Sequence, residues 1–393
     1  MKRIYLLVFG IFCSIILRTY FILNGSDIAD IHSLHEMGEL FLRGINPYLA
    51  LNYNAYPPLA IYLEFATIKL SQFFNIPFYI LIKLWPNLAD ILTGLVLCLF
   101  LIKKGVKPIV AYAWSLTFLL NPISIIISAA HGQIDSIPSF LVILAILFLT
   151  FNFTKFYILL SALLLGLAIA IKPNPLILLP FFLTFKKMDL KTMIIFLLLT
   201  VVPVAILFSP FIQGNFHYIL GKSFGYSGSN DFGLPAILRG IYYQQTANYK
   251  LIFSREVLQA SKVFFLTGLF LLVFIFKNCD KLVKACLAVY LLFLGFYFGI
   301  SAQYLSWILP LAILERDKMI IPFSLSGLVS LLGFYLFFNP TILAVQFSNI
   351  QPYQNQFMLI YILGNLVFWA VTSWWLIKII SPNFKNLLIF NLH

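Results

Sequence analysis

The chain has 393 residues, of which 62% are apolar and 10% charged, against about 25% charged in ordinary soluble domains. Together with a mean hydropathy of +0.97, this excludes a soluble globule, a disordered chain, a coiled coil and a disulfide scaffold, and the unbroken apolar runs exclude a β-barrel. The net charge of +13 is therefore expected to report membrane topology, with basic residues gathered in cytoplasmic loops, and not a nucleic-acid partner.

An all-α polytopic membrane protein follows, a single transmembrane domain over 1–393 with about 12 helices (roughly 10–14) at some 20 residues per crossing. Lys2 and Arg3 precede an apolar run at 4–23 that has no cleavage site after it, so an uncleaved first helix with its N-terminus inside is expected. Residues 24–78 then form a first long outer segment. Within it, 57–74 is apolar but carries Glu64 and Lys69, and it is expected to lie along the outer surface. A crossing there would place Lys103, Lys104 and Lys107, which close a clean apolar run at 79–102, on the wrong side. Further runs lie near 108–128, 136–153, 156–171, 174–185, 192–212, 257–276, 285–301, 304–314, 319–338 and 357–380. Two of these, 174–185 and 304–314, are too short to cross alone and are expected to be half-helices buried in protein. Residues 213–256 form a second long outer segment. This arrangement puts most of the 26 Lys and Arg residues inside, and Asp27, Asp30, Glu36, Glu39, Glu64, Asp135, Asp231 and Glu256 outside. The expected location is the plasma membrane, with the chemistry on the extracytoplasmic side, because every cytoplasmic loop is short. Cys13, Cys98, Cys279 and Cys286 form no CxxC pair and are expected to pack.

The 24–78 segment carries the densest signals. Residues 27–43 predict an amphipathic helix with Ser26 or Asp27 as its cap. His32, Glu36, Glu39 and Arg43 form one wet stripe, and Leu34, Met37 and Phe41 form the opposite one, which Asp30 extends by a turn. A carboxylate on an apolar face is costly unless it is paired or used, which makes Asp30 a candidate functional residue; a first-turn Asp serving the helix dipole is the plainer alternative. Asp27 is a cap or a second candidate. Gly44 is the expected C-cap, followed by the turns Asn46-Pro47-Tyr48 and Tyr56-Pro57-Pro58.

Three later motifs sit at helix ends. His131-Gly132-Gln133-Ile134-Asp135 offers polar groups for a sugar pocket, or is a polar turn. Lys172-Pro173-Asn174-Pro175 breaks an apolar stretch and sets a lysine at membrane depth, where a lipid phosphate is one partner and snorkelling to the surface the alternative. Gln303-Tyr304-Leu305-Ser306-Trp307 at another helix end fits an interfacial aromatic belt. In 213–256, Arg239 is the best phosphate ligand by side-chain type, close to Asp231 in sequence.

Asp30 fourteen residues before Gly44, then Pro47-Tyr48, then Tyr56-Pro57-Pro58, resembles the first outer loop of the GT-C superfamily of membrane glycosyltransferases. Within it, the pattern is most similar to the α-mannosyltransferases of glycosyltransferase family 87 and the first mannosyltransferases of GPI-anchor synthesis. Gln133 to Asp135, Lys172-Pro173 and Gln303 to Trp307 resemble further elements of those families. Two positions depart from the pattern: Leu34 stands where an aromatic is common, and Asp27 and Asp30 are three apart where the GPI branch has Asp-x-Asp. The resemblance implies an inverting transfer of a hexose, by family a mannose, from a polyprenyl-phosphate donor to a lipid- or glycan-linked acceptor. Asp30 would be the base, with Asp27 second to it. Lys172, Arg239, His131, Gln133, Asp135, Tyr48 and Tyr56 would bind the donor phosphate and sugar. No cofactor and no bound metal are required, though a divalent ion is left open; the partners are the donor, the acceptor and membrane lipids. A transporter or flippase for a lipid-linked glycan, and a lipid-linked glycan ligase or polymerase, share the cations and the groove and are the rival readings.

Overall fold

The computed structural model describes residues 4–25, 28–53, 55–151, 154–212, 216–225, 228–277 and 280–390. Every regular element among them is helical. In chain order the main ones are α1 (Ile4–Asn24), α2 (Ile28–Leu42), α3 (Pro58–Phe74), α4 (Phe78–Lys103), α5 (Pro108–Leu119), α6 (Ser136–Phe151), α7 (Lys155–Ile171), α8 (Leu190–Phe208), α9 (Phe216–Phe224), α10 (Leu234–Thr246), α11 (Arg255–Phe276), α12 (Leu282–Phe296), α13 (Ile308–Glu315), α14 (Ile320–Phe338) and α15 (Gln354–Phe390).

Six of these, α1, α4, α8, α11, α14 and α15, are long and apolar enough to cross a membrane among the described residues. A seventh is counted if α5 and Pro122–His131, bent by 42°, form one broken span. Against the expected twelve, α6, α7, Asn174–Leu183 and α12 are apolar but shorter than a full crossing. α12 lies in the middle of the molecule with nearly its whole surface buried. The short runs near 174 and 304 are broken helices, as their length requires. Asn174–Leu178 is a 3₁₀ turn leading into Leu179–Leu183, and Ala302–Trp307 is another leading into α13. The residues Ala302–Leu314 are all buried, so the irregular backbone there faces protein and not lipid.

The segment after α1 forms the helices its periodicity predicts. α2 buries Ile31, Leu34 and Met37 against α3, while His32 and Arg43 face outward. It ends at Gly44, whose φ of +73° is the left-handed cap, and the Ile45 amide returns to the Leu40 carbonyl at 2.9 Å. Asn46 caps the next turn, Pro47–Ala50, by accepting from the Tyr48 amide. The expected cap of α2 at Ser26 or Asp27 lies outside the described residues. Of the cysteines, Cys98 and Cys286 are buried and Cys13 is half-buried; Cys279 lies outside the described residues.

Candidate functional site

A cavity of about 650 Å³ opens between α2, the 52–57 turn, the break after α7, α9, the end of α12 and the 299–307 segment. Asp30 stands at its rim. The apolar stripe of α2 seats the helix on α3, but Asp30 is not sealed beneath that stripe, as the sequence pattern suggested; its side chain keeps 47% of its exposure. In the first turns of α2 the residues beside the stripe, Asp30 and Ser33, face the cavity.

Two buried side chains hold the Asp30 carboxylate. His131 Nε2 lies 3.0 Å from Oδ2, and Gln133 Nε2 donates to the same oxygen. His131 ends a π-helical turn, Ile126–His131, which stops at Gly132, and Gln133 follows directly. Gly132 has a φ of +87°, and a Cβ there would lie 3.0 Å from Cε and Cγ of Lys83, so only glycine lets the chain turn at this point. Lys83, fully buried in α4, donates to the carbonyls of Gly25 and Ala130, the latter at 2.9 Å. One cation thus ties the entry to the Asp30 helix and the His131 turn into a fixed register. On the far side of the imidazole, Nδ1 lies 2.7 Å from the Tyr335 hydroxyl of α14.

Lys172 forms part of another wall. α7 stops there because Pro173 and Pro175 cannot continue it. The sequence left this cation few partners besides a lipid phosphate; the structure supplies one. Lys172 pairs with Asp135, which has 0% side-chain exposure and also accepts from Trp307 Nε1 at 2.8 Å. At 5% exposure Lys172 does not snorkel to the surface, and its ammonium lies 5.3 Å from the centroid of the Tyr56 ring. Asp135 therefore acts on the cavity through Lys172 and Trp307. The remaining wall is aromatic, with Tyr304 stacked on Trp307 at 4.2 Å and Phe293 on Tyr297 at 4.7 Å. Polar groups interrupt it at Ser33, Asn52, Tyr53, Asn174 and Gln303. The Tyr53 hydroxyl donates to Glu36 at 2.7 Å, and burial together with that carboxylate pushes its phenol up.

Not every expected residue joins the cavity wall. Tyr48 is fully buried and donates its hydroxyl to the Tyr56 carbonyl at 2.8 Å, so it fixes the turn that presents Tyr56. Arg239 is paired with Asp231 and is not among the residues lining the cavity. Asp231 is held by its amide on the Ile300 carbonyl at 2.8 Å, and its own carbonyl accepts from Tyr361 at 2.6 Å. Burial pushes the Asp231 carboxyl up in spite of Arg239, and the charge of Asp30 acts in the same direction. Asp27 lies outside the described residues. Among the described residues no three His, Cys, Asp or Glu side chains gather in a metal-sized group.

Sequence reasoning missed a second buried network. Arg18 of α1, 1% exposed, donates to Asp90 at 2.8 Å, to Asn87 at 2.9 Å and to Ser124 at 2.7 Å. The run at 79–102 is therefore not clean. Lys83, Asn87 and Asp90 recur at i, i+4 and i+7, one polar face of α4, and a charge inside an apolar run was the signal to follow.

No family model matches the chain. Over 151 residues, 37% of its length, it is 31% identical to a Candida albicans protein named GPI mannosyltransferase 1. The match covers 34% of that protein, so the chain spans about a third of the relative it matches.

Proposed function

We propose that the chain is an inverting glycosyltransferase of the GT-C type, which moves a hexose, by its relative a mannose, from a polyprenyl-phosphate donor to a lipid- or glycan-linked acceptor. In this reading the shorter apolar helices complete a bundle of about twelve crossings, and the cavity opens on the extracytoplasmic side of the plasma membrane. The observation that carries it is the placement of two opposite charges on one cavity: a half-exposed carboxylate, Asp30, at the rim, and a buried cation, Lys172, set in an aromatic wall.

That pair suits a one-base transfer. The acceptor hydroxyl attacks the anomeric carbon, the bond from that carbon to the lipid-phosphate oxygen breaks, and the hydroxyl proton passes to Asp30. The departing phosphate keeps its electron pair and meets the N–H groups of Lys172. Tyr56 and the ring wall of Tyr304 and Trp307 cover the sugar and the start of the isoprenoid. Asp135 acts through Lys172, and His131 and Gln133 act through Asp30. Tyr48 and Arg239 shape the walls. The partial identity to a GPI mannosyltransferase supports the same reaction class.

The test is transfer from a radiolabelled short-chain polyprenyl-phosphate mannose to a panel of glycolipid acceptors by the purified full chain. Asp30→Asn keeps the size and the hydrogen bonds and removes the base. Turnover should fall about 10²–10⁴-fold with donor binding nearly intact. Near-normal turnover in Asp30→Asn would sink the proposal.

A further inference from the structure

We propose that His131, braced by Tyr335, is a positioning residue that sets the orientation of the Asp30 carboxylate. The inference rests on the base assignment above and goes beyond it, because it gives His131 a role away from the sugar and brings in Tyr335, a residue with no motif around it. A carboxylate oxygen only accepts, so His131 Nε2, 3.0 Å from Asp30 Oδ2, is the nitrogen that carries the hydrogen. In the neutral ring Nδ1 is then the acceptor, and the Tyr335 hydroxyl at 2.7 Å donates to it. Tyr335 is fully buried, and its ring meets the imidazole edge-on at 5.6 Å, so the phenol fixes the ring plane as well as the tautomer. Gln133 donates to the same Asp30 oxygen, and its Nε2 lies 3.3 Å from His131 Nε2. Two donors on one oxygen hold the carboxylate against rotation.

The chain order makes this arrangement specific. Asp30 and His131 are about a hundred residues apart and Tyr335 two hundred further on, and each belongs to a different element: α2, the π-turn and α14. Among the described residues, ionisable groups near the pair include Asp231 ahead of α10, whose carboxyl feels the charge of Asp30, Lys83 of α4, packed under Gly132, and Lys172, Tyr53 and Tyr56 on the same cavity. On α2 itself, His32 faces outward and Glu36 is engaged by Tyr53.

Four variants of the full chain test this in the transfer assay with the polyprenyl-phosphate mannose probe. His131→Leu should lower kcat tenfold or more, the contribution of one hydrogen bond to a charged group, with donor KM unchanged within twofold. His131→Gln returns an N–H near the Nε2 position and should recover most of that loss. Tyr335→Phe should lower kcat a few-fold with donor KM unchanged within twofold. A merely structural His131 would give equal losses in the Leu and Gln variants, and Tyr335→Phe would keep its full kcat; either result overturns the proposal. If His131→Leu does not accumulate as folded protein, the near-isosteric Gln and Phe variants decide alone. Asp30→Asn, run alongside, separates the two levels. An active Asp30→Asn removes the base and this inference with it. An inactive Asp30→Asn beside unaffected His131 and Tyr335 variants refutes only the positioning role.

Discussion

The Lys172–Asp135 pair can be split into a structural part and a donor-binding part by a double-mutant cycle. Lys172→Met leaves the Asp135 carboxylate, with 0% exposure, holding only the Trp307 N–H. Removing one partner of a buried ion pair costs about 3–5 kcal/mol, because the other charge stays buried and uncompensated. Asp135→Leu strands the Lys172 ammonium in the same way, relieved by the Tyr56 ring by about 1 kcal/mol. The double variant Lys172→Met/Asp135→Leu strands no charge. It loses only the Trp307 hydrogen bond, about 1 kcal/mol, so it should be more stable than either single variant. Donor affinity follows a different pattern. Both variants that lack the cation should bind a polyprenyl-phosphate sugar about 10-fold more weakly or worse, as one charge-assisted hydrogen bond predicts, while folded Asp135→Leu should keep its affinity. The assays are thermal unfolding in detergent and equilibrium binding of the labelled donor. A double variant as unstable as the worse single would refute the pairing argument. A double variant that binds donor normally would remove Lys172 from the phosphate site.

Three further outcomes follow from the same structure. Arg18→Met should destabilise the chain by about 3–5 kcal/mol in detergent unfolding, and Arg18→Met/Asp90→Leu should recover much of it, since Arg18 and Asp90 are sealed together; a harmless single variant would contradict the network. Glu64 of α3 is buried, and among the described residues neither of its oxygens has a hydrogen-bond partner, so burial pushes its carboxyl well up. Its folded form therefore resists ionisation, stability is fully present at acid pH and is lost as pH rises, and Glu64→Gln should be the more stable protein at neutral pH with the gap closing toward the ordinary carboxylate range; melting curves across pH check it, and a gap that does not vary with pH refutes it. Cysteines placed at Asn52 and Ser229 should label with an impermeant reagent in intact cells, and labelling only after the membrane is opened would reverse the topology.

The parts of the fold that were legible in the sequence are those set by local rules. The apolar stripe of α2, the Gly44 cap, the proline break after Lys172 and the broken helix at 302–307 each follow from spacing or from one residue's backbone. The site was legible as a set of motifs but not as an arrangement. Nothing in the spacing of His131 and Gln133 announces that both meet Asp30, or that Asp135, two residues on, turns the other way to Lys172. Such pairings depend on how helices stack, and one-dimensional periodicity carries no record of that. The α4 face was lost for a different reason. Averaged over a membrane-length window, Lys83, Asn87 and Asp90 disappear among leucines and isoleucines, although each is costly in an apolar helix and so is informative individually.

Burial then sorts the charged residues by what they can do. Arg18 with Asp90 is sealed within the helices, and Lys83 is spent on the carbonyls of Gly25 and Ala130. Neither cation lines the cavity. Arg239 has Asp231 and stands off the wall. Lys172 shares their burial and their need for a partner but lies on the cavity wall beneath an aromatic ring, where an incoming phosphate can add to the pairing already present. The acids divide in the same way. Asp135 and Asp90 are closed off, and Asp30 keeps half its surface at the rim while two buried donors hold it still. A base needs both properties, access to the acceptor and a fixed orientation, and the sealed carboxylates have only the second. The same contrast explains why Asp30 should tolerate Asn without unfolding, whereas loss of either member of a sealed pair should be felt first in stability.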